Sequence, residues 1–242
     1  PLRTVYPHAD APMRNALLEV VVEPPGAAPL RVFVAHLAAG YAAWRGGEGE
    51  RLRELAYILG QMGERAGGAS GVGELSLLMG DFNSLPPGER LLASRLLLHA
   101  ARNDIRRAQG EDMTGQPGVA RVLPRSLRPL ANALLGVART PALAWVCDLA
   151  VSAYVPRAVV RQTCAAGYTD LYTVTHPDPR RREMSCPAEQ PAGRIDYIFA
   201  GPALAAGLMT CELLGETATS PVLRASDHRP MLATLALTPA QG

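Results

Sequence analysis

The first regular signal in the chain is a pair of apolar runs, Leu17 to Val22 and Leu30 to Ala35, separated by Glu23-Pro24-Pro25-Gly26. Apolar, β-branched runs joined by a Pro/Gly turn predict a β-hairpin. The period then changes. From Glu48 to Arg65, Leu52, Leu55, Ile58, Leu59 and Met62 recur at helical spacing with charges between them, which predicts an amphipathic helix. Gly67 to Gly71 reads as a loop, and Leu75 to Met79 as a strand that delivers Gly80-Asp81. Pro86-Pro87-Gly88-Glu89 predicts a helix start, with Pro87 in the first turn and the helix running through Leu98. Between 103 and 160, Pro124, Pro129, Pro141 and Pro156 cut an Arg-, Leu- and Ala-rich stretch into short, partly helical pieces. Gly167 to Tyr172 predicts a short strand or helix start, and Pro-rich 176–193 a loop. Strands close the pattern at Gly193 to Phe199 and Met231 to Leu237. Glu19 and Glu23, on or just after the first strand, are expected on a solvated face.

Composition bounds this picture. With 242 residues, 48% of them hydrophobic, the chain reads as one domain over 1–242 with room for a substantial core. All 24 cationic side chains are arginine, and they are unevenly placed. Residues 102–161 carry nine arginines against Asp104, Glu111, Asp112 and Asp148, a net +5, which leaves −3 on the rest. Such a segment is either a guide for a polyanionic substrate or a solvated helical face. Cys147, Cys164, Cys186 and Cys211 lack C-x-x-C spacing, so a zinc site is not expected; two disulfides or four buried thiols both fit. No apolar run reaches membrane-spanning length, because the stretch from Pro129 to Pro156 is interrupted by Arg139 and Asp148.

Candidate chemistry falls at strand ends. His36 closes the strand Arg31 to Ala35. Gly80-Asp81-Phe82-Asn83 follows the next, and strand geometry points Asp81 and Asn83 the same way. A carboxylate there can bind a hard cation or orient a water, and a neutral amide can meet a phosphoryl oxygen without repelling it. In Arg194-Ile195-Asp196-Tyr197-Ile198-Phe199, Asp196 shares a face with apolar Ile198, which is costly unless a cation or donor pairs with it. Ser226-Asp227-His228 supplies an imidazole whose tautomer a second carboxylate could fix.

Taken in order, His36-Leu37, Gly80-Asp81-Phe82-Asn83, Arg194-Ile195-Asp196-Tyr197 and Ser226-Asp227-His228 resemble the endonuclease/exonuclease/phosphatase superfamily, over about Arg14 to Leu237. The resemblance implies an α+β fold, a deoxyribonuclease-I-like two-sheet β-sandwich flanked by helices, with an insertion at about 103–160. It implies Mg²⁺- or Mn²⁺-dependent phosphoesterase chemistry. In that assignment Asp81 orients or deprotonates the attacking water, Asn83 holds the phosphate, and His228 stands beside the scissile phosphate, oriented by Asp196. Asp227 lies near the metal, with Asp81 sharing that role, and His36 contacts phosphate or donates a proton. One departure stands out. The family's first strands carry a metal-binding glutamate, whereas here Arg14 to Leu17 follows almost at once on Pro1-Leu2-Arg3, and no earlier strand is expected to supply it. The chain therefore reads as lacking the N-terminal part of its domain.

The leading expectation is hydrolysis of a phosphodiester or phosphomonoester by an activated water; the alternative is a non-catalytic binding protein that kept the fold without the glutamate. Nucleic acid is the expected substrate if the insertion's arginines line a groove. A phospholipid or inositol-phosphate head group is expected if they rim an exposed apolar patch. Tyr41 and Trp44, just after His36, are candidates for substrate contact or for packing.

Overall fold

The computed structural model describes residues 2–5, 13–39, 47–65, 75–215 and 226–237. Its main sheet contains Leu2–Val5 (β1), Leu17–Val22 (β2), Leu30–His36 (β3), Ser76–Asp81 (β4), Thr169–Asp170 (β5) and Asp196–Ala200 (β6), in the order β1-β2-β3-β4-β6-β5. Only β3 and β4 are parallel, and helix α1 (Glu48–Arg65) lies in their crossover. Leu208–Leu213 (β7) and Met231–Leu235 (β8) pair into a second, two-stranded sheet. Helices α2 (Ala93–Ala108), α3 (Val119–Val122), α4 (Ala131–Arg139), α5 (Pro141–Tyr154) and α6 (Ala158–Ala165) fill the connection from β4 to β5, with a 3₁₀ turn at Arg125–Leu130. Two short helices, α7 (Leu171–Thr175) and α8 (Pro202–Ala205), complete the set.

Strand alternation sorts the core into layers. Phe33, Leu78, Tyr197 and Phe199 pack beneath Leu55, Ile58 and Met62 of α1 and Val159 and Val160 of α6. The intervening residues Leu77, Ile198 and Ala200 face the other way, against Cys211, Leu213, Met231 and Ala233 of the second sheet. The fold is thus α+β, with two packed sheets and helices outside, as expected. The proline-cut segment is helical in pieces: Pro124 precedes the 3₁₀ turn, Pro129 lies within it, and Pro141 opens α5. All four cysteines are free thiols.

Three expectations are corrected. A strand does precede Leu17: β1 pairs antiparallel with β2, Leu2 opposite Val20, although Leu2-Arg3-Thr4-Val5 brings no carboxylate. Glu19 is buried rather than solvated, and Arg31 on β3, diagonal to it across the pair, reaches its carboxylate at 2.8 Å. Helix α2 begins at Ala93, not at Pro87, because the backbone of 85–92 is drawn into tertiary bonds. Leu91 exchanges hydrogen bonds with Ser152, and the Leu92 N–H donates to the Ala192 carbonyl at 2.7 Å.

At the end of β4, Gly80 has φ +129°, and a Cβ there would run into the carbonyl oxygen of Ala35 on the adjacent strand. Only glycine fits both demands. Gly80→Ala is expected to cost more than about 1 kcal/mol in urea unfolding. An unchanged midpoint would show that the strand ends can separate freely.

Candidate active site

Sheet register aligns the first three groups. His36 is the β3 partner of Asp81, and Asp81 is the β4 partner of Asp196 on β6. The three residues therefore form a row across the sheet at one end. His36 Nε2 lies 3.4 Å from Asp81 Oδ2 and is otherwise the most exposed of the set. Glu54 of α1, fully buried, braces this end by accepting the Ala38 N–H at 2.7 Å and the Arg14 N–H at 3.0 Å.

The turn after β4 is an Asx-type staple. Asp81 Oδ1 accepts the Asn83 N–H at 2.7 Å, and Asn83 takes φ +46°, a left-handed conformation that asparagine tolerates. Asn83 Nδ2 donates to the Leu37 carbonyl at 2.9 Å and to Asp81 Oδ2 at 3.2 Å. With its amide turned inward, Asn83 ties the β3 and β4 ends together and fixes the Asp81 carboxylate. Contact with a phosphate, the role expected of it, would require it to give up one of these bonds.

His228 arrives from the other sheet. Its Nδ1 stands 3.0 and 2.9 Å from the two Asp196 oxygens, so the imidazole is oriented by that carboxylate. Ser185, fully buried, holds the two segments in register: its Oγ accepts the N–H groups of Ile195 and Asp196, and its carbonyl accepts the Arg229 N–H. Asp227 fastens the same loop through its backbone carbonyl, which accepts the Ala188 N–H at 2.7 Å. Tyr41 and Trp44 lie outside the described residues.

One donor atom from each of Asp81, Asp196 and His228 falls within 4.8 Å of the others. Asp227 is not in this group. Two carboxylates suit a hard divalent cation, with the His228 imidazole bonded to Asp196 beside them. The electrostatics follow from the packing. Burial and the nearby Asp196 carboxylate push Asp81 up to about 6, against the downward pull of the Asn83 N–H and the two imidazoles. Burial acts to lower His228, but hydrogen bonds to Asp196 and Cys186 outweigh it and push the imidazole up to about 11. The arrangement thus offers a carboxylate that can exchange a proton near neutrality and a held imidazolium.

Behind the row sits a cluster that sequence reasoning missed. Arg194, fully buried, pairs with Asp170 at 2.8 Å and Glu89 at 2.9 Å, between the rings of Tyr172 and Tyr197. The Tyr197 hydroxyl donates to the Ser84 carbonyl at 2.7 Å, so the strand carrying Asp196 is locked to the turn carrying Asp81. Only the apolar setting of Arg194 hinted at a buried partner.

Among solved structures, the chain is similar to the 3′-5′ exonuclease NExo from Neisseria meningitidis, with 17% identity over 97% of this chain and 70% of that one, at a TM-score of 0.50. The chain has the endonuclease/exonuclease/phosphatase fold. A 3′ phosphatase NExo structure from Neisseria with a product DNA hairpin aligns at 16% identity over 91% of this chain and 64% of that one, TM-score 0.47. ANGEL2, a 2′,3′-cyclic phosphatase, aligns at 20% identity over 96% and 65%, also with a TM-score of 0.47. This chain spans about two thirds of the length of each of these structures. No family model and no curated relative matches the sequence. At such identities the endonuclease/exonuclease/phosphatase fold is what is shared, and the chemistry has to be argued from the residues at the sheet end.

Proposed function

We propose that this chain hydrolyses a phosphate ester, diester or monoester, with the help of Mg²⁺ or Mn²⁺. The observation that supports it is the convergence of Asp81 and Asp196, from two adjacent strand ends, with His228 from the loop that leads into β8. Asp81 and Asp196 are the oxygen donors suited to hold the cation, which when bound would neutralise charge on the phosphoryl group and favour ionisation of a water. Asp81, at the end of β4 and fixed by Asn83, is placed to orient the attacking water and accept its proton. His228, kept protonated through Asp196, presents positive charge to the equatorial oxygens and a proton for the leaving oxygen. His36, exposed beside Asp81, is the outer member of the row and is free to meet substrate. Asn83 acts through Asp81, as a positioning residue.

Bis-p-nitrophenyl phosphate tests this directly. The chain should release p-nitrophenolate with Mg²⁺ or Mn²⁺, stop on addition of EDTA and recover when the metal is restored. Turnover that persists in excess EDTA would remove the metal from the proposal. A chain that binds the metal but never turns over would point instead to the non-catalytic binding role.

A further inference from the structure

Helix α5 is built inside out. Its polar side chains point inward: Asp148 accepts the N–H and the hydroxyl of Ser94 at 2.7 and 2.8 Å, capping the start of α2. Ser152, one turn on, exchanges two hydrogen bonds with the Leu91 backbone. The outward side carries Leu143, Trp145, Val146 and Leu149, each between 46% and 58% exposed, and no charged residue. A surface helix normally shows the opposite arrangement. Leu127 and Leu130, on the 3₁₀ turn that leads into α4, are exposed as well.

Along the chain from 113 to 169 the exposed charges are all arginine. Arg121, Arg125, Arg128 and Arg139 are exposed and have no ion-pair partner among the described residues. From 113 to 169 the only carboxylate is Asp148, and it faces inward. An apolar patch of this kind marks an interaction site. The exposed arginines of the same segment fit an anionic surface, and Trp145 is an amphipathic ring of the kind favoured at head-group depth. No single helix among the described residues is long and apolar enough to cross a membrane. The Arg125–Arg139 and Pro141–Tyr154 pair reaches that composition only together, across a 117° bend.

We propose that the α4–α5 hairpin, with the 3₁₀ turn before it, docks on the surface of an anionic phospholipid bilayer. The Asp148 and Ser152 bonds to 91–94 connect this face to the segment that leaves the Asp81–Asn83 corner.

The full chain should co-sediment with vesicles of equal phosphatidylcholine and phosphatidylglycerol, but not with phosphatidylcholine alone, and binding should weaken as salt rises. V146D/L149D, at exposed positions, should cut vesicle binding at least about tenfold. R125Q/R128Q/R139Q should do the same on anionic vesicles while leaving the apolar face intact; circular dichroism melting verifies that each variant is folded. A wild-type chain that stays in the supernatant overturns the docking, as does V146D/L149D binding undiminished. A dimer in vesicle-free solution that V146D/L149D disperses would assign the face to a second copy and overturn it too. Hydrolysis is not required: vesicle binding without turnover leaves the docking standing, and turnover without vesicle binding removes only the docking.

Discussion

Asp81→Asn is expected to lower kcat/KM for bis-p-nitrophenyl phosphate by about 10²–10⁴-fold while making the metal-free protein more stable, not less. Both halves come from one fact, that this carboxylate is largely withdrawn from water beside Asp196. Its ordinary value of 3.8 is raised to about 6 in the fold. The folded state therefore holds the proton more tightly than the unfolded chain. Stability from this group rises as pH falls from about 7 toward about 4, and at neutral pH the ionised form costs roughly 2–3 kcal/mol. Asparagine keeps the oxygen that accepts the Asn83 N–H at 2.7 Å but carries no charge to bury. In EDTA at pH 7 the variant should unfold at higher urea than the wild type, and the difference should shrink toward pH 4. A purely structural aspartate would give the reverse, loss of stability with activity falling only in proportion. His228→Ala should also lose most turnover, since it removes the imidazole that the Asp196 carboxylate holds in place to supply the proton. Full activity in both variants would remove the assigned roles.

The parts of this site that could be read from the sequence are those that strand periodicity places. His36, Asp81 and Asp196 each end or begin an apolar strand, so pairing the strands in register brings them into one row. Alternation likewise put Asp196 on the face of Ile198, toward the second sheet from which His228 comes. What escaped depends on distant neighbours. Pro86-Pro87 is a sound local helix start, but Leu91 and Leu92 are held by Ser152 and Ala192, so α2 begins later. Glu19 looked solvated because its cation, Arg31, sits on another strand. Asn83 looked free to meet a phosphate because nothing local shows that the Leu37 carbonyl takes its amide. Ser185, Glu54 and Glu89 carry no motif; they matter through the backbone groups and charges that the fold brings to them. The outward apolar face of α5 was hidden for a related reason. An apolar helical run reads as core until the partner of Asp148, Ser94, shows which side is inside.

Arg194→Leu should give the largest loss of stability of any single substitution considered, about 3–5 kcal/mol in urea unfolding. The guanidinium is fully buried and forks onto two carboxylates. Its Nη1 and Nη2 meet Asp170 at 3.2 and 2.8 Å, and Nε and Nη2 meet Glu89 at 3.2 and 2.9 Å. Removing it leaves two buried negative charges, of which only Glu89 keeps another cation, Arg182 at 3.2 Å. The damage would spread in a defined direction. Asp170 also caps α7 by accepting the Tyr172 N–H, and Arg194 stacks between Tyr172 and Tyr197, whose hydroxyl ties β6 to the Asp81 turn. Arg194→Lys keeps the charge but cannot fork onto both carboxylates, and should fall between the variant and the wild type. Because the group is sealed from solvent, the Arg194→Leu penalty should change little with added salt, unlike that of a surface pair. A penalty below about 1 kcal/mol, or one that salt abolishes, would show that the two carboxylates find other partners and that β6 is positioned by apolar packing alone.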